Sequence, residues 1–270
     1  MMSDFISRSL GWVSAKAQDI LLRILASGPV PKHVGFIMDG NRRYARMHQQ
    51  EVKAGHAEGY VALRRVLEIC MRLNICCVSV YGFSIENFKR SPQEVEDLLS
   101  LVQEKLLEIC QYGDLLDEHG IRLNVIGNKT LFPPRLQAAS RKAEEMTRKN
   151  NRAILNLCMP YTSRDEIFTA IQETIQEKLD SDSPFGEITE DDIDAHIMTN
   201  AAGSPPLDIL VRTSGVKRLS DYLLWQGCED TQIQYTDGYW PEFGLWDFIP
   251  ILLDYQRKAW STPAHARDLS

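Results

Sequence analysis

The sequence has no C-x-x-C, no pair of histidines at zinc spacing, and no G-x-G-x-x-G after an apolar run. It also lacks G-x-x-x-x-G-K-S/T and G-x-S-x-G. These absences withdraw support from structural-zinc, dinucleotide-binding, P-loop and serine-hydrolase readings. No stretch approaches the roughly 18 continuous apolar residues of a spanning helix. No N-terminal apolar region with a small-residue cleavage site is expected either. Internal repeats, low-complexity tracts and long linkers are missing. Positive charge is in deficit: 30 Lys and Arg stand against 37 Asp and Glu, a formal net charge of -7. That balance argues against nucleic acid, whose binding needs a basic footprint.

What is present is ordinary for a globular protein. Of 270 residues, 44% are hydrophobic and 25% charged, enough for one domain with a sizeable core. Six cysteines occur, Cys70, Cys76, Cys77, Cys110, Cys158 and Cys228, within apolar runs such as Ile75-Cys76-Cys77-Val78. Reduced, buried thiols are expected rather than a disulfide framework.

Residues 5–27 read as an amphipathic helix, with Val13, Ala17, Ile20, Leu21 and Ile24 on one face. Trp12 and Leu25 widen that face, and Gly28-Pro29 stops the helix. It either packs on the domain or serves a partner or membrane surface. From residue 33, strands are expected at His33–Met38, Ile75–Phe83, Ile121–Ile126, Ala153–Met159, Leu207–Thr213 and Ile233–Tyr235. Helical patterns fall at 58–73, after Ser91, after Pro133-Pro134, from Ser163 to about Leu179, from Thr189 to Met198, and at 243–259. Ser91-Pro92-Gln93-Glu94 and Ser163-Arg164-Asp165-Glu166 both read as capping boxes. The three aspartates at 191, 192 and 194 read as an acidic first turn behind the Thr189 cap. This alternation predicts an α/β fold. It is a single domain with a mostly parallel central sheet of about six strands flanked by helices, plus the N-terminal amphipathic helix. The expected divisions are 1–28 for that helix, 29–260 for the domain and 261–270 for a tail.

In open α/β sheets, ligands bind at the carboxyl ends of strands. After the first strand come Asp39, Gly40, Asn41, Arg42, Arg43 and Arg46. Glycine permits close backbone approach, and forked guanidiniums suit phosphate. The carboxylate is either a salt-bridge partner or a metal ligand. Mg2+ needs only one or two carboxylates beside substrate phosphates. After the second strand come Phe83, Ser84, Glu86, Asn87 and Arg90. After the fifth, Arg212, Arg218 and Ser220 flank a Ser214-Gly215 turn. Three polar clusters at three strand ends suggest two diphosphate sites near one metal.

Together these clusters resemble the cis-prenyltransferase family, the undecaprenyl and dehydrodolichyl diphosphate synthases, and most of all its eukaryotic catalytic subunits. The resemblance rests on His33 through Ala45, Gly55-His56, Phe83 through Arg90, Arg212 through Gly215, Arg218 through Asp221, Trp225-Gln226 and Trp240 through Phe243. It implies condensation of isopentenyl diphosphate onto an allylic primer, usually farnesyl diphosphate, with Mg2+ and with Z double bonds. By that resemblance Asp39 handles Mg2+ and the diphosphates, and Gly40, Asn41, Arg42 and Arg43 cradle the allylic diphosphate. Arg212, Arg218 and Ser220 hold isopentenyl diphosphate. Phe83, Ser84, Glu86 and Arg90 line the space between, Asn87 relays a proton, and His56 sits near the diphosphates. The hydrocarbon product needs an apolar channel. One side of the stripe Val95, Leu98, Leu99, Val102, Leu106 and Ile109 is expected to line it, with Leu99 and Leu106 on that side, and the other side to join the core.

Two departures from the family pattern carry expectations. Glu229 stands near, but out of register with, the metal-binding glutamate of bacterial members. The tail after Trp260 lacks the Arg-x-Gly motif with which single-component members complete a neighbouring site. An accessory subunit resembling the Nogo-B receptor is then expected to supply it, at the cytoplasmic face of the endoplasmic reticulum. The alternatives are a non-catalytic scaffold subunit and a homodimer active alone. The intact Asp39 and arginine set speaks against the first, and the missing motif against the second.

Overall fold

A computed structural model describes residues 16–112, 115–180 and 187–261. Helix α1 occupies 16–26. Then follow β1 (His33–Ile37), α2 (Asn41–Met47), α3 (Val52–Arg72), β2 (Cys77–Tyr81), a 3-10 turn (Ile85–Lys89), α4 (Pro92–Tyr112) and α5 (Leu115–Glu118). The chain continues through β3 (Ile121–Ile126), α6 (Pro134–Thr147), β4 (Ala153–Cys158), α7 (Ser163–Asp180), α8 (Glu190–His196) and α9 (Met198–Ala201). It ends with β5 (Ile209–Arg212), β6 (Gln232–Tyr235) and α10 (Leu245–Ser261). The six strands are all parallel, in the order β3-β4-β2-β1-β5-β6.

The inner strands read as unbroken apolar runs because both faces of the sheet are covered. Val34, Phe36, Val80 and Val211 enter a core shared with α1, α3, α4, α6 and α10. Ile37, Ile126, Cys158 and Leu210 join Tyr161, Tyr222 and Leu223 on the opposite face. Phe36 is the aromatic centre of the first core, 5.7 Å from the Trp240 ring and 5.9 Å from Phe243. The outer edge of β3 is capped by side chains of α6: Leu123 N donates to Thr147 Oγ1 (3.0 Å) and Val125 N to Glu144 Oε1 (2.8 Å). Such capping removes the unpaired donors that invite another strand.

A buried polar ladder crosses four strands. Asn124 donates to Asn156, and Asn156 to Ser79. The His33 ring meets Ser79 Oγ at 2.7 Å and Pro205 O at 2.9 Å. A carbonyl only accepts, so Nδ1 carries the proton and Nε2 accepts from Ser79. Burial pushes the His33 pKa down to about 4, so the ring is neutral at physiological pH.

Four local expectations are corrected. Helix α3 begins six residues before the periodicity predicts, because its first turns pack through glycine rather than through apolar side chains. A Cβ at Gly55 would meet Asn41 O at 2.4 Å, and one at Gly59 would meet Asn41 Oδ1 at 2.5 Å. Helix α1 turns Leu22 and Leu25 inward, while Ile20 and Ile24 are 58% and 62% exposed. Its rotation is set by the Asp19–Arg72 ion pair and by Gln256 Nε2 donating to Leu25 O. Trp12 and Val13 lie outside the described residues, as does the tail 262–270. At α7 the cap is Thr162, whose Oγ1 accepts from Asp165 N at 3.4 Å, and Ser163 and Glu166 are engaged elsewhere. Finally, Cys70, Cys77 and Cys158 are buried free thiols, but Cys228 is exposed.

Candidate active site

The strand order reverses at one place. From β1 the chain steps to β2, crosses to β3 at the far edge, comes back to insert β4 between β2 and β3, and then lays β5 on the other side of β1, so the connections leaving β1 and β5 run in opposite directions. Such a switch point opens a crevice at the carboxyl ends of the strands. Ile37 stands opposite Arg212 across it. Asp39 follows β1 directly, and its Oδ2 accepts from Arg212 Nη2 at 2.8 Å. Arg43 Nη2 lies 3.4 Å from the other oxygen. Burial raises the Asp39 pKa, but Arg212, Ser214 and Arg43 outweigh it, and the net shift is downward. The backbone is pinned as well: Asp39 O accepts from Thr213 Oγ1 (2.6 Å) and Trp240 N (3.0 Å).

Gly40 follows at φ +110°, where a Cβ would strike the Tyr239 ring at 2.8 Å. Both facts require glycine there. The Arg43 guanidinium lies 5.4 Å over the same ring and donates to Ser214 Oγ. Arg212 is only 4% exposed. Its Nη1 donates to Arg218 O and Ser220 Oγ, each at 2.6 Å. Arg212 thus joins the end of β1 to the loop after β5. At the end of β2, Ser84 accepts from Glu86 N, and Ser84 N donates to Asn87 Oδ1 at 3.1 Å, fixing the Asn87 amide. Arg90 and Arg42 share Glu94, at 2.9 and 3.6 Å.

A cavity of about 700 Å³ joins these groups. Asp39, Gly40, Asn41, Arg42, Arg43, His56, Phe83, Ser84, Asn87, Arg90, Arg212, Arg218 and Ser220 all line it. Glu86 does not line it, and pairs at the surface with Lys89. The His56 ring is held near pKa 4, first by burial and then by Arg90, and its Nε2 has no hydrogen-bond partner among the described residues. Beyond this polar mouth the walls are Leu98, Leu101, Val102, Leu106, Leu123, Leu155 and Leu157. The expected division of α4 is therefore corrected in detail. Leu98, Val102 and Leu106 face the cavity, whereas Leu99 is buried in the core away from it. The side chain of Ile109 lies outside the described ones.

Several lining residues carry no clear sign in the sequence. Lys105 reaches the wall with its ammonium 5.3 Å from the centre of the Tyr60 ring and ion-paired to Glu104 and Glu108. Arg46 also lines it, as does Trp240 of the Trp240–Phe243 motif, its Nε1 donating to Gly59 O. Arg46 falls within the basic run after β1, the one sign that pointed to it. Glu229 is exposed and outside the lining. Among the described residues, no group of three or more His, Cys, Asp or Glu converges to hold a metal. Asp39 is the one carboxylate lining the cavity among them. That donor set fits Mg2+, which takes its other ligands from phosphate oxygens and water.

A guanidinium-rich crevice opening onto a hydrocarbon-walled pocket is built for an anionic head with an apolar tail. The sequence profile of the undecaprenyl diphosphate synthase family matches residues 37–261, and the chain belongs to that family of cis-prenyltransferases. A dehydrodolichyl diphosphate synthase complex subunit of Schizosaccharomyces pombe is 42% identical over 92% of this chain and 93% of its own. The human complex subunit is 40% identical over 91% and 73%. A geranylgeranyl-diphosphate-specific tritrans,polycis-undecaprenyl-diphosphate synthase of Thermococcus kodakarensis is 38% identical over 89% and 90%. Among solved structures, lavandulyl diphosphate synthase from Lavandula x intermedia, in complex with dimethylallyl diphosphate, superposes with a TM-score of 0.75 at 29% identity, covering 84% of this chain and 95% of that one. The chain is thus a transferase of the polyprenyl diphosphate synthase class.

Proposed function

We propose that the chain is the catalytic subunit of a dehydrodolichyl diphosphate synthase. It condenses isopentenyl diphosphate units onto farnesyl diphosphate to give a long-chain Z-polyprenyl diphosphate for dolichol synthesis and protein glycosylation. The observation that carries this reading is the Asp39–Arg212 pair at the switch point, set at the mouth of the apolar cavity. A scaffold subunit would have no need to keep that pair beside an open pocket.

Loss of diphosphate from the primer leaves an allylic cation, so the site must stabilise charge growing on the leaving group. Preorganised arginines in a water-poor cleft do this without reorganisation. Gly40, Asn41, Arg42 and Arg43 hold the allylic diphosphate, with Arg90 beside it. Arg212, Arg218 and Ser220 hold isopentenyl diphosphate, and Asp39 stands between the two. Asp39 would anchor Mg2+, which when bound supplies Lewis-acid stabilisation of the diphosphate oxygens. Arginine cannot release a proton at neutral pH. The proton lost after carbon–carbon bond formation therefore ends on diphosphate, with the Asn87 amide relaying it through hydrogen bonds.

The growing chain occupies the leucine-walled cavity. Val102→Trp and Leu106→Trp are expected to shorten the main product by several isoprene units, read by mass spectrometry. Leu99→Trp, in the core, is expected to lower stability without that selective shortening. Unchanged product length in both cavity variants would contradict the assignment.

A second, Nogo-B-receptor-like subunit carrying the Arg-x-Gly motif is the proposed partner. Support comes from the complex-subunit names of the relatives. An open apolar stripe on α7 adds to it, where Phe168 and Leu179 are 60% and 58% exposed. Peripheral attachment to the endoplasmic-reticulum membrane, on its cytoplasmic side, is proposed through the exposed Ile20 and Ile24 of α1 and the Trp260 of α10. No helix among the described residues is long and apolar enough to cross a membrane.

A further inference from the structure

The loop that presents Arg218 and Ser220 has an unusual backbone. Ser220, Asp221 and Leu223 all sit at positive φ, at 54°, 60° and 46°, and none is glycine. Left-handed backbone costs about 1 kcal/mol or more at such a residue, and a branched leucine tolerates it poorly. A conformation of this kind persists only when its surroundings hold it.

The holder is the first turn of α7. Ser163 N donates to Asp221 O at 2.8 Å. Arg164 grips the Asp221 carboxylate twice, through its backbone N at 3.1 Å and its Nε at 2.7 Å. Ser163 Oγ accepts from Leu224 N at 2.9 Å. The buried Glu166 carboxylate accepts from Gln226 Nε2. This explains why neither Ser163 nor Glu166 caps its own helix: both are spent on the loop. Asp221 is the residue at which the grip meets the strained segment. Its side chain faces Arg164 and does not line the cavity. Its backbone neighbour Ser220 does line it, and receives Arg212 and Arg218 on its hydroxyl.

We infer that Asp221, clamped by Ser163 and Arg164, is a positioning residue for isopentenyl diphosphate. It holds Ser220 in the left-handed turn, and with it Arg218, whose Nε donates to the Ser220 hydroxyl, so that both face the second diphosphate. The inference rests on the proposed function, which assigns that diphosphate to this loop. A residue acting through the loop should change affinity for one substrate and not the other.

Steady-state kinetics on the full chain, with its partner subunit if turnover requires one, test this. Asp221→Ala is expected to raise KM for isopentenyl diphosphate about tenfold, as the loss of charge-assisted bonds implies, while KM for farnesyl diphosphate stays within about twofold. Asp221→Asn keeps an oxygen acceptor for Arg164 N and tolerates positive φ, so it should restore KM to within about threefold of wild type. Arg164→Ala removes one grip from an exposed side chain that folding does not need, and should raise the same KM about threefold. A merely structural role would lower the folded fraction and leave both KM values alone. Unchanged KM for isopentenyl diphosphate in Arg164→Ala and in folded Asp221→Ala would overturn the inference while leaving the proposed function standing. A wild-type enzyme that consumes no isopentenyl diphosphate would overturn both.

Discussion

Asp39→Ala should lower isopentenyl diphosphate incorporation by at least about a thousandfold, the scale set by losing a group that meets charge in the transition state. The carboxylate is the one acid lining the cavity among the described residues, so no neighbour can replace it. The fold should survive. Arg212 loses one partner but keeps Arg218 O and Ser220 Oγ, so its guanidinium is not stranded. Asp39→Asn isolates the charge. Its amide oxygen can still accept from Arg212, so the thermal midpoint should stay near wild type while turnover is lost. Radiolabel incorporation and a circular-dichroism melt on each variant check both parts. Retention of a tenth of wild-type activity by Asp39→Ala would contradict the assignment.

Arg212→Leu should do comparable damage by a different route. The guanidinium bridges the Asp39 carboxylate, a backbone carbonyl and a hydroxyl at once. Its removal leaves Asp39 with Ser214 and the more distant Arg43, and separates the end of β1 from the loop after β5. Breaking a buried pair in this way costs about 3 kcal/mol of stability. Turnover should fall about a thousandfold. Arg212→Lys tests geometry apart from charge, since one ammonium cannot span three acceptors in a planar fork. It should lose about a hundredfold in kcat/KM for isopentenyl diphosphate and much less for farnesyl diphosphate. Equal losses for the two substrates would mean that Arg212 serves the fold rather than the second site.

Much of this was readable in the sequence. The apolar run bounds β3 to the residue, and the other strands to within two positions. Their apolar runs, with both faces covered, fixed the α/β class. The polar clusters after β1, β2 and β5 converge because parallel strands bring their carboxyl ends to one edge. What was hidden depends on packing between distant segments. The start of α3 was missed because Gly55 and Gly59 pack by being small, which no periodicity registers. Glu86 shares its loop with Ser84 and Asn87, but the 3-10 turn points it outward to Lys89. The Ser163-to-Glu166 run has the letters of a capping box, yet those side chains hold a loop 57 or more residues away in sequence. Lys105 reaches the cavity wall only because Tyr60 and two glutamates accommodate its charge there.

The central claim is that this chain itself carries out the condensation. The direct measurement is incorporation of labelled isopentenyl diphosphate onto farnesyl diphosphate, with Mg2+, by the purified chain with and without a co-purified accessory subunit. The account predicts a long Z-polyprenyl diphosphate when the partner is present, little without it, and none when Asp39→Ala replaces the wild-type chain in the complex. An undiminished product from the complex carrying Asp39→Ala, or no product under either condition with the wild-type chain, would contradict it.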